Sequence, residues 1–198
     1  MSDADVEHDT TIHLVRHGET QWSRVGKHTG STDLDLTERG VAAARALRPA
    51  LAHARFDLVL TSPMLRARRT AELAGHGEAV VDADLVEWDY GDYEGLTTPE
   101  IRESVPGWTV WTHPSPGGES AEDVAQRLDR VVERLRAAGG SVLVVAHGHS
   151  LRALTARWLG LPVDHGRIFD LDTATYSVLG EYRGAPVVQR WNVPVEAR

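Results

Sequence analysis

Cysteine is absent from this chain, which excludes disulfides, thiolate nucleophiles and zinc–cysteine sites. Long apolar runs are absent too: no stretch approaches the ~20 residues that a membrane-spanning helix needs. Lysine is almost missing, with Lys27 alone, so nearly all positive charge is arginine, and a GC-rich coding bias accounts for that. An excess of positive charge is also lacking. The formal net charge of -8 argues against a nucleic-acid or anionic-membrane surface. The opening segment, Met1 to Thr10, is acidic and has no apolar core of the kind a secretory signal carries. It predicts a disordered tail over 1–10, one domain over 11–198 and a cytoplasmic protein. The rest is ordinary for a globular protein: 41% hydrophobic and 25% charged residues, in a length of 198 that supports one sizeable core.

Periodicity supplies the elements. Thr11 to Val15 reads as a short strand. Thr37-Glu38-Arg39 opens a helix with Val41, Ala44, Leu47 and Leu51 at helical spacing. Phe56 to Leu60 reads as a strand, and Pro63 fits the first turn of a helix running to about Ala74. Ala79 to Asp82 predicts a short strand. Between Glu87 and Glu119, rich in Gly, Pro and Trp, only Pro99 to Ser104 looks helical. Ser120-Ala121-Glu122-Asp123 resembles a capping box with Asp in the usual Glu place, ahead of the stripe Val124, Leu128, Val131, Val132 and Leu135. Gly139-Gly140 ends that helix. Ser141 to Ala146 is a continuous apolar run, as in a strand covered on both faces. A helix from about Ser150 carries Leu151, Leu154, Trp158 and Leu159, and strands over Thr175–Leu179 and Pro186–Trp191 flank a turn at Gly180 to Gly184. The alternation predicts an α/β fold, a three-layer α/β/α sandwich with a mostly parallel mixed sheet. Sites in such sheets lie beyond the carboxyl ends of the strands. Arg16-His17, Ser62 and His147 each follow directly on a predicted strand, so one crevice can hold all three.

A strand ending in Arg16-His17-Gly18-Glu19-Thr20 places a cation, an imidazole and a permissive turn at one point, a combination able to bind a phosphoryl group and attack it. Three later segments supply further parts: Ser62-Pro63-Met64-Leu65-Arg66-Ala67, Glu87 before Gly91-Asp92-Tyr93-Glu94-Gly95, and His147-Gly148-His149-Ser150-Leu151-Arg152. Taken in order, these motifs resemble those of the histidine phosphatase (phosphoglycerate mutase-like) superfamily, within it the sedoheptulose-1,7-bisphosphatase and mycobacterial acid phosphatase-like subgroup.

The resemblance implies a metal-independent phosphomonoesterase acting on small, sugar-like phosphates, with no cofactor. His17 would attack phosphorus and become phosphohistidine. Arg16 and Arg66 would hold the equatorial oxygens, since a guanidinium fork matches phosphate geometry. His147 would donate a further hydrogen bond. Glu87 would protonate the departing oxygen and then deprotonate water, a role that burial beside Trp88 or Tyr90 would tune. Carried over by position, His28, Thr29, Tyr90, Arg152 and Ser23 become substrate contacts, and Trp22, Trp88, Trp108 and Trp111 wall the pocket. The expected partner is a small-molecule phosphate monoester, without nucleic acid or membrane, and a homodimer stays open.

Plainer readings stand beside these. Arg68 and Arg69 fit a solvated helix face, and Glu94 a turn or support behind the site. His149 fits a position facing the next helix start, because two histidines at i and i+2 without a carboxylate make a poor metal site. Two rival functions follow the same motifs. A 2,3-bisphosphoglycerate-dependent phosphoglycerate mutase would carry a longer, Arg-rich insert where Thr97 to Glu103 is short and net acidic, and an Asn where Ser23 stands. A non-catalytic binding domain would have lost one of Arg16, His17, Arg66, Glu87 or His147, all of which are present.

Overall fold

The apolar run Ser141–Ala146 is the fourth strand of the chain, β4, and stands inside a six-stranded sheet. It pairs in parallel with β1 (Thr11–Arg16) on one side and β2 (Leu58–Thr61) on the other. β3 (Val80–Val81) adds to β2 in parallel, while β5 (Tyr176–Tyr182) and β6 (Ala185–Val193) extend the other side antiparallel, giving the order β3-β2-β4-β1-β5-β6. This computed structural model describes residues 10–195. The acidic segment 1–9 lies outside the described residues, and Thr10, expected in the tail, is buried at the start of β1.

Alternation along the strands divides the core into two layers. Ile12, Leu14, Val142 and Val144 face α5 (Ala121–Ala138) and α6 (Gly148–Trp158); Val15, Leu143 and Val145 face α2 (Glu38–Leu51) and α3 (Leu65–Leu73). A strand covered on both faces needs apolar residues at consecutive positions, which is why β4 lacks alternation. Helix α5 follows its stripe: Val124, Leu128, Val131 and Leu135 are sealed, each stabilising by roughly 1.5–3 kcal/mol. Val132 is only half-buried, and Arg127 sits on the buried face instead. Ser120 and Asp123 form the expected capping box, Asp123 N–H donating to Ser120 Oγ at 3.1 Å and Ser120 N–H to Asp123 Oδ2 at 2.9 Å.

The structure departs from the sequence expectation at several places. Pro63 precedes α3 rather than opening it. Met64 is the N-cap, without a side-chain cap of its own, and the Leu65 N–H is capped from a distance by Asp33 Oδ1 at 2.7 Å. Helix α6 begins at Gly148, two residues before Ser150, directly after His147. Gly180 is inside β5, and the chain reverses at Arg183-Gly184, whose positive φ values of 55° and 75° suit a two-residue hairpin. In α2, Gly40 takes a buried place and Val41 is half-buried. The remaining helices, α1 (Gln21–Arg24) and α4 (Thr98–Ser104), are short and lie in the segments that roof the strand ends.

Candidate active site

The parallel register aligns the carboxyl ends of the three inner strands: Arg16 stands opposite Ala146, and Thr61 opposite Val145. The next residues of those strands are His17, Ser62 and His147, so the sheet brings together three segments far apart in sequence. The His17 and His147 rings are 5.2 Å apart at 62°. Gly18 is needed less for a turn than for close approach: a Cβ there would lie 2.6 Å from the carbonyl oxygen of Gly40, where α2 packs on the Arg-His-Gly turn. Thr70 of α3 fastens the same turn. It accepts from Gly18 N–H at 3.0 Å and donates to the Arg66 carbonyl at 2.7 Å.

His17 is 5% exposed, and its Nδ1 lies 2.8 Å from the carbonyl oxygen of its neighbour Gly18. A carbonyl can only accept, so Nδ1 carries the proton and Nε2 keeps its lone pair. Burial first, then the positive charges of Arg66 and Arg16, hold the imidazole pKa well below its ordinary value. The ring is therefore neutral at neutral pH, the state a nitrogen nucleophile requires.

His147 is sealed and doubly committed. Arg66 Nε–H donates to its Nδ1 at 3.1 Å, and its Nε2 lies 2.7 Å from Ser62 Oγ. Desolvation and then the Arg66 charge keep it neutral, so its single proton sits on Nε2 and is given to Ser62. Arg66, with 0% exposure, spends the rest of its fork on the carbonyls of Thr29, Gly30 and Thr32 at 3.0–3.1 Å. Of five guanidinium N–H groups four are engaged by protein, so Arg66, expected to hold equatorial oxygens, also braces the 29–32 loop. Glu94 braces that loop from the other side, accepting from Gly30 N–H at 2.8 Å and Thr32 N–H at 3.0 Å. The expectation of a support behind the site describes it well.

Glu87 is 7% exposed, next to Trp88 in the chain, and its carboxylate is surrounded by backbone donors. Its two oxygens accept backbone N–H bonds from Trp88 at 2.9 Å, His149 at 3.0 Å and Ser150 at 2.8 Å. The last two come from the first turn of α6, where N–H groups have no intrahelical partner. The segment carrying Glu87 is fixed in turn by Arg127. This guanidinium donates to the carbonyls of Asp84 and Val86 at 2.9 and 3.0 Å, and to Glu119 at 2.6 and 2.9 Å.

A cavity of about 180 Å³ opens over these groups. Arg16, His17 and Glu87 border it. Ser23, Lys27, His28, Thr29, Tyr90, His149, Arg152 and Leu171 also line it, with the His28 ring 4.7 Å from that of Tyr90. Every substrate contact expected from sequence borders this space; Arg66 and His147 stand behind it. Glu87 is the one acid among the lining residues, against the cations Arg16, Lys27 and Arg152. Arg16 donates to the Leu171 carbonyl, while its Nε–H is buried without a protein partner. Gly148 lets it approach, since a Cβ there would sit 3.3 Å from the Arg16 guanidinium carbon. Arg152 is anchored by the carbonyls of Gly166 and Arg167 at 3.1 and 3.2 Å and lies over Trp111.

Several expected contacts already have protein partners. Ser23 Oγ caps α1 through Thr20 N–H at 2.8 Å, and Thr29 Oγ1 donates to the Lys27 carbonyl at 3.1 Å. His28 Nε2 lies 3.2 Å from Thr98 Oγ1, and desolvation pushes its pKa down to about 4. The Tyr90 hydroxyl lies 2.6 Å from His149 Nδ1. Trp88, Trp108 and Trp111 support the wall from behind: Trp108 backs His28, Trp111 backs His149, and the Trp88 indole N–H donates to the Glu119 carbonyl.

Three functional candidates escaped the sequence reading. His149 was expected at the next helix start and does stand there, but its side chain reaches the cavity. Lys27, ascribed to codon bias, borders the same space. Arg127 could have been noticed as a charge on an otherwise aliphatic stripe. The side chains of His147 and His149 diverge, and among the described residues no group of three or more His, Asp or Glu could hold a metal ion. No helix among the described residues is long and apolar enough to cross a membrane.

This fold and this arrangement define a histidine phosphatase: the chain matches the family model of the histidine phosphatase superfamily (branch 1) over residues 12–194 and belongs to that family. It is 45% identical over 175 residues to an acid phosphatase of Mycobacterium tuberculosis, with 86% of each chain covered. To sedoheptulose 1,7-bisphosphatase of Saccharomyces cerevisiae it is 33% identical over 213 residues, covering 86% of this chain and 79% of that one. A 2,3-bisphosphoglycerate-dependent phosphoglycerate mutase of Sinorhizobium fredii is 40% identical over 163 residues, covering 73% and 77%. Among solved structures, the product of a Mycobacterium tuberculosis open reading frame superposes with a TM-score of 0.90 at 41% identity, covering 94% of this chain and 99% of that one.

Proposed function

We propose that this protein is a metal-independent phosphomonoesterase for small sugar phosphates, working through a phosphohistidine on His17. The observation that carries the reading is the fixed tautomer of His17: Nδ1–H is given to the Gly18 carbonyl, which leaves Nε2 with a lone pair beside the cavity. In the first half-reaction Nε2 attacks phosphorus, the P–O bond to the alcohol breaks, and the departing oxygen takes a proton from Glu87. In the second, water attacks the phosphohistidine, its proton passes to Glu87, and the N–P bond breaks to release phosphate. Arg16, which borders the cavity, supplies positive charge to the transferring group. Lys27, His28 and Arg152 contact the rest of the substrate.

The small cavity favours a small monoester, since drug-sized ligands occupy ~300 Å³ or more. The names of the acid phosphatase and sedoheptulose bisphosphatase relatives support the same class. A mutase needs cations in the segment after Gly95. Here that segment forms α4, and its one arginine, Arg102, donates Nε–H to the Trp108 carbonyl at 2.8 Å instead. Brief exposure to a ³²P-labelled sugar phosphate should trap an acid-labile, base-stable phosphoenzyme that His17→Ala abolishes together with turnover. Residual activity within tenfold of wild type in that variant would overturn the mechanism.

A further inference from the structure

We infer that His149, oriented by Tyr90, reads the leaving group of the substrate, donating Nε2–H to a hydroxyl or ether oxygen of a polyol or sugar phosphate. The inference rests on the proposed phosphatase reaction and names the substrate class within it. Its starting point is the contact of 2.6 Å between the Tyr90 hydroxyl and His149 Nδ1. Two proton placements fit that distance. If Nδ1–H donated, the tyrosine's own proton would be left in a sealed position, because the hydroxyl has no second partner among the described residues and Tyr90 is only 1% exposed. If the tyrosine donates, its hydroxyl and Nδ1 are both satisfied, and the donor left over is Nε2–H, which is not shut away from solvent. The second placement is the stable one, because an unmade buried donor is costly.

A neutral imidazole carries one N–H, so with Nδ1 accepting from Tyr90 the proton of His149 is on Nε2. Burial first, then the charge of Arg152, keeps the ring in that neutral state. Nε2 has no partner among the described residues, and it is not among the buried polar atoms shut away from solvent. The side chain borders the cavity shared by His17 and Glu87. Trp111, edge-on at 5.2 Å, and the Tyr90 hydroxyl bond hold the ring, so the donor is pre-aimed. His149 also adjoins the acid directly, since its backbone N–H donates to Glu87 Oε2 at 3.0 Å. The oxygen released from phosphorus leaves past Glu87, so the carbons attached to it lie next to the His149 ring. A single uncharged N–H suits an alcohol or ring oxygen. An alkyl group in its place leaves the donor unpaired, the situation in which binding sites discriminate most strongly.

The test compares glycerol 1-phosphate with n-propyl phosphate, equal in carbon chain and different only in hydroxyls, by the ratio of their kcat/KM values. Wild type should favour the glycerol ester. His149→Ala should lower that ratio about tenfold, His149→Gln should restore part of it because the amide N–H lies near the lost Nε2–H, and Tyr90→Phe should lower it less than His149→Ala. The backbone N–H to Glu87 survives these side-chain changes. The inference is overturned if wild type does not distinguish the two esters, or if His149→Ala depresses both equally. Failure of the underlying reaction shows separately, as the absence of any acid-labile phosphoenzyme in wild type with either ester.

Discussion

Replacing Arg127 by Met tests how Glu87 is presented, and its consequences can be worked from the structure. The variant keeps the aliphatic length against Val124, Val131 and the sheet but deletes the guanidinium. Lost are two bonds to the Glu119 carboxylate at 2.6 and 2.9 Å, two to the Asp84 and Val86 carbonyls, and a longer one of 3.4 Å to the Glu87 carbonyl. Breaking a buried ion pair by removing one partner costs about 3–5 kcal/mol. The Glu119 side chain is 21% exposed and still accepts Asp89 N–H, so partial solvation lowers the expectation to about 2–4 kcal/mol. Total stabilities of ~5–15 kcal/mol make that a large fraction, and for a chain of this length it means a Tm lower by roughly 5–15 °C. Urea unfolding measures it directly. Arg127→Met/Glu119→Gln should recover about 1–3 kcal/mol relative to additivity, since the stranded carboxylate is then neutral. A loss below about 0.5 kcal/mol in the single variant, or strict additivity in the double, refutes the brace. Turnover of sugar phosphates should fall in Arg127→Met at temperatures where the variant stays folded, because the carbonyls on both sides of Glu87 lose their anchor.

Four further outcomes follow. Glu87→Gln should slow sugar-phosphate hydrolysis at least a hundredfold but p-nitrophenyl phosphate much less in phosphoenzyme formation, since a phenolate leaves unaided; equal defects in single-turnover bursts would remove Glu87 as the acid. Because the His17 pKa is held well below its usual value, the acid limb of kcat/KM assigned to the nucleophile should fall well under pH 6.5 in wild type, and a limb at the ordinary imidazole value would contradict its burial. His28 makes the matching stability statement: unfolded, it binds a proton near pH 6.5, folded only near about 4, so its contribution is complete above 6.5 and is lost as pH falls toward 4, by up to ~1.4 kcal/mol per pH unit. Urea midpoints should then drop more between pH 7 and 5 in wild type than in His28→Gln. Activity should survive EDTA, and loss on chelation with recovery on adding a divalent cation would reverse the metal-independent reading.

The sequence alone determined the elements and the motifs, because both are written in short-range signals. A capping box spans four residues, the stripe of α5 repeats over one or two turns, and the doubly covered β4 announces itself by consecutive apolar positions. From these followed the three parallel strands whose ends carry Arg16-His17, Ser62 and His147, and therefore the location of the site. Boundaries set by contacts from elsewhere were less legible: α3 starts at Leu65 because Asp33, far along the chain, caps it, and β5 runs past Gly180 because β6 pairs with it.

Tertiary structure decided what each side chain can do. A sequence names donors and acceptors but not their partners, and in a buried site the partner fixes the proton and the free valence. Arg66 reads as a phosphate fork until three loop carbonyls and His147 take four of its N–H groups. Glu87 reads as a buried acid beside Trp88 or Tyr90, and only the fold shows that the first turn of α6 aims two N–H groups at it. His149 reads as a helix-start residue until Tyr90, brought across by the 88–95 segment, takes its Nδ1 and leaves Nε2–H over the cavity. Those pairings join residues on different elements, and only the packed sheet and its roof bring them within hydrogen-bond distance.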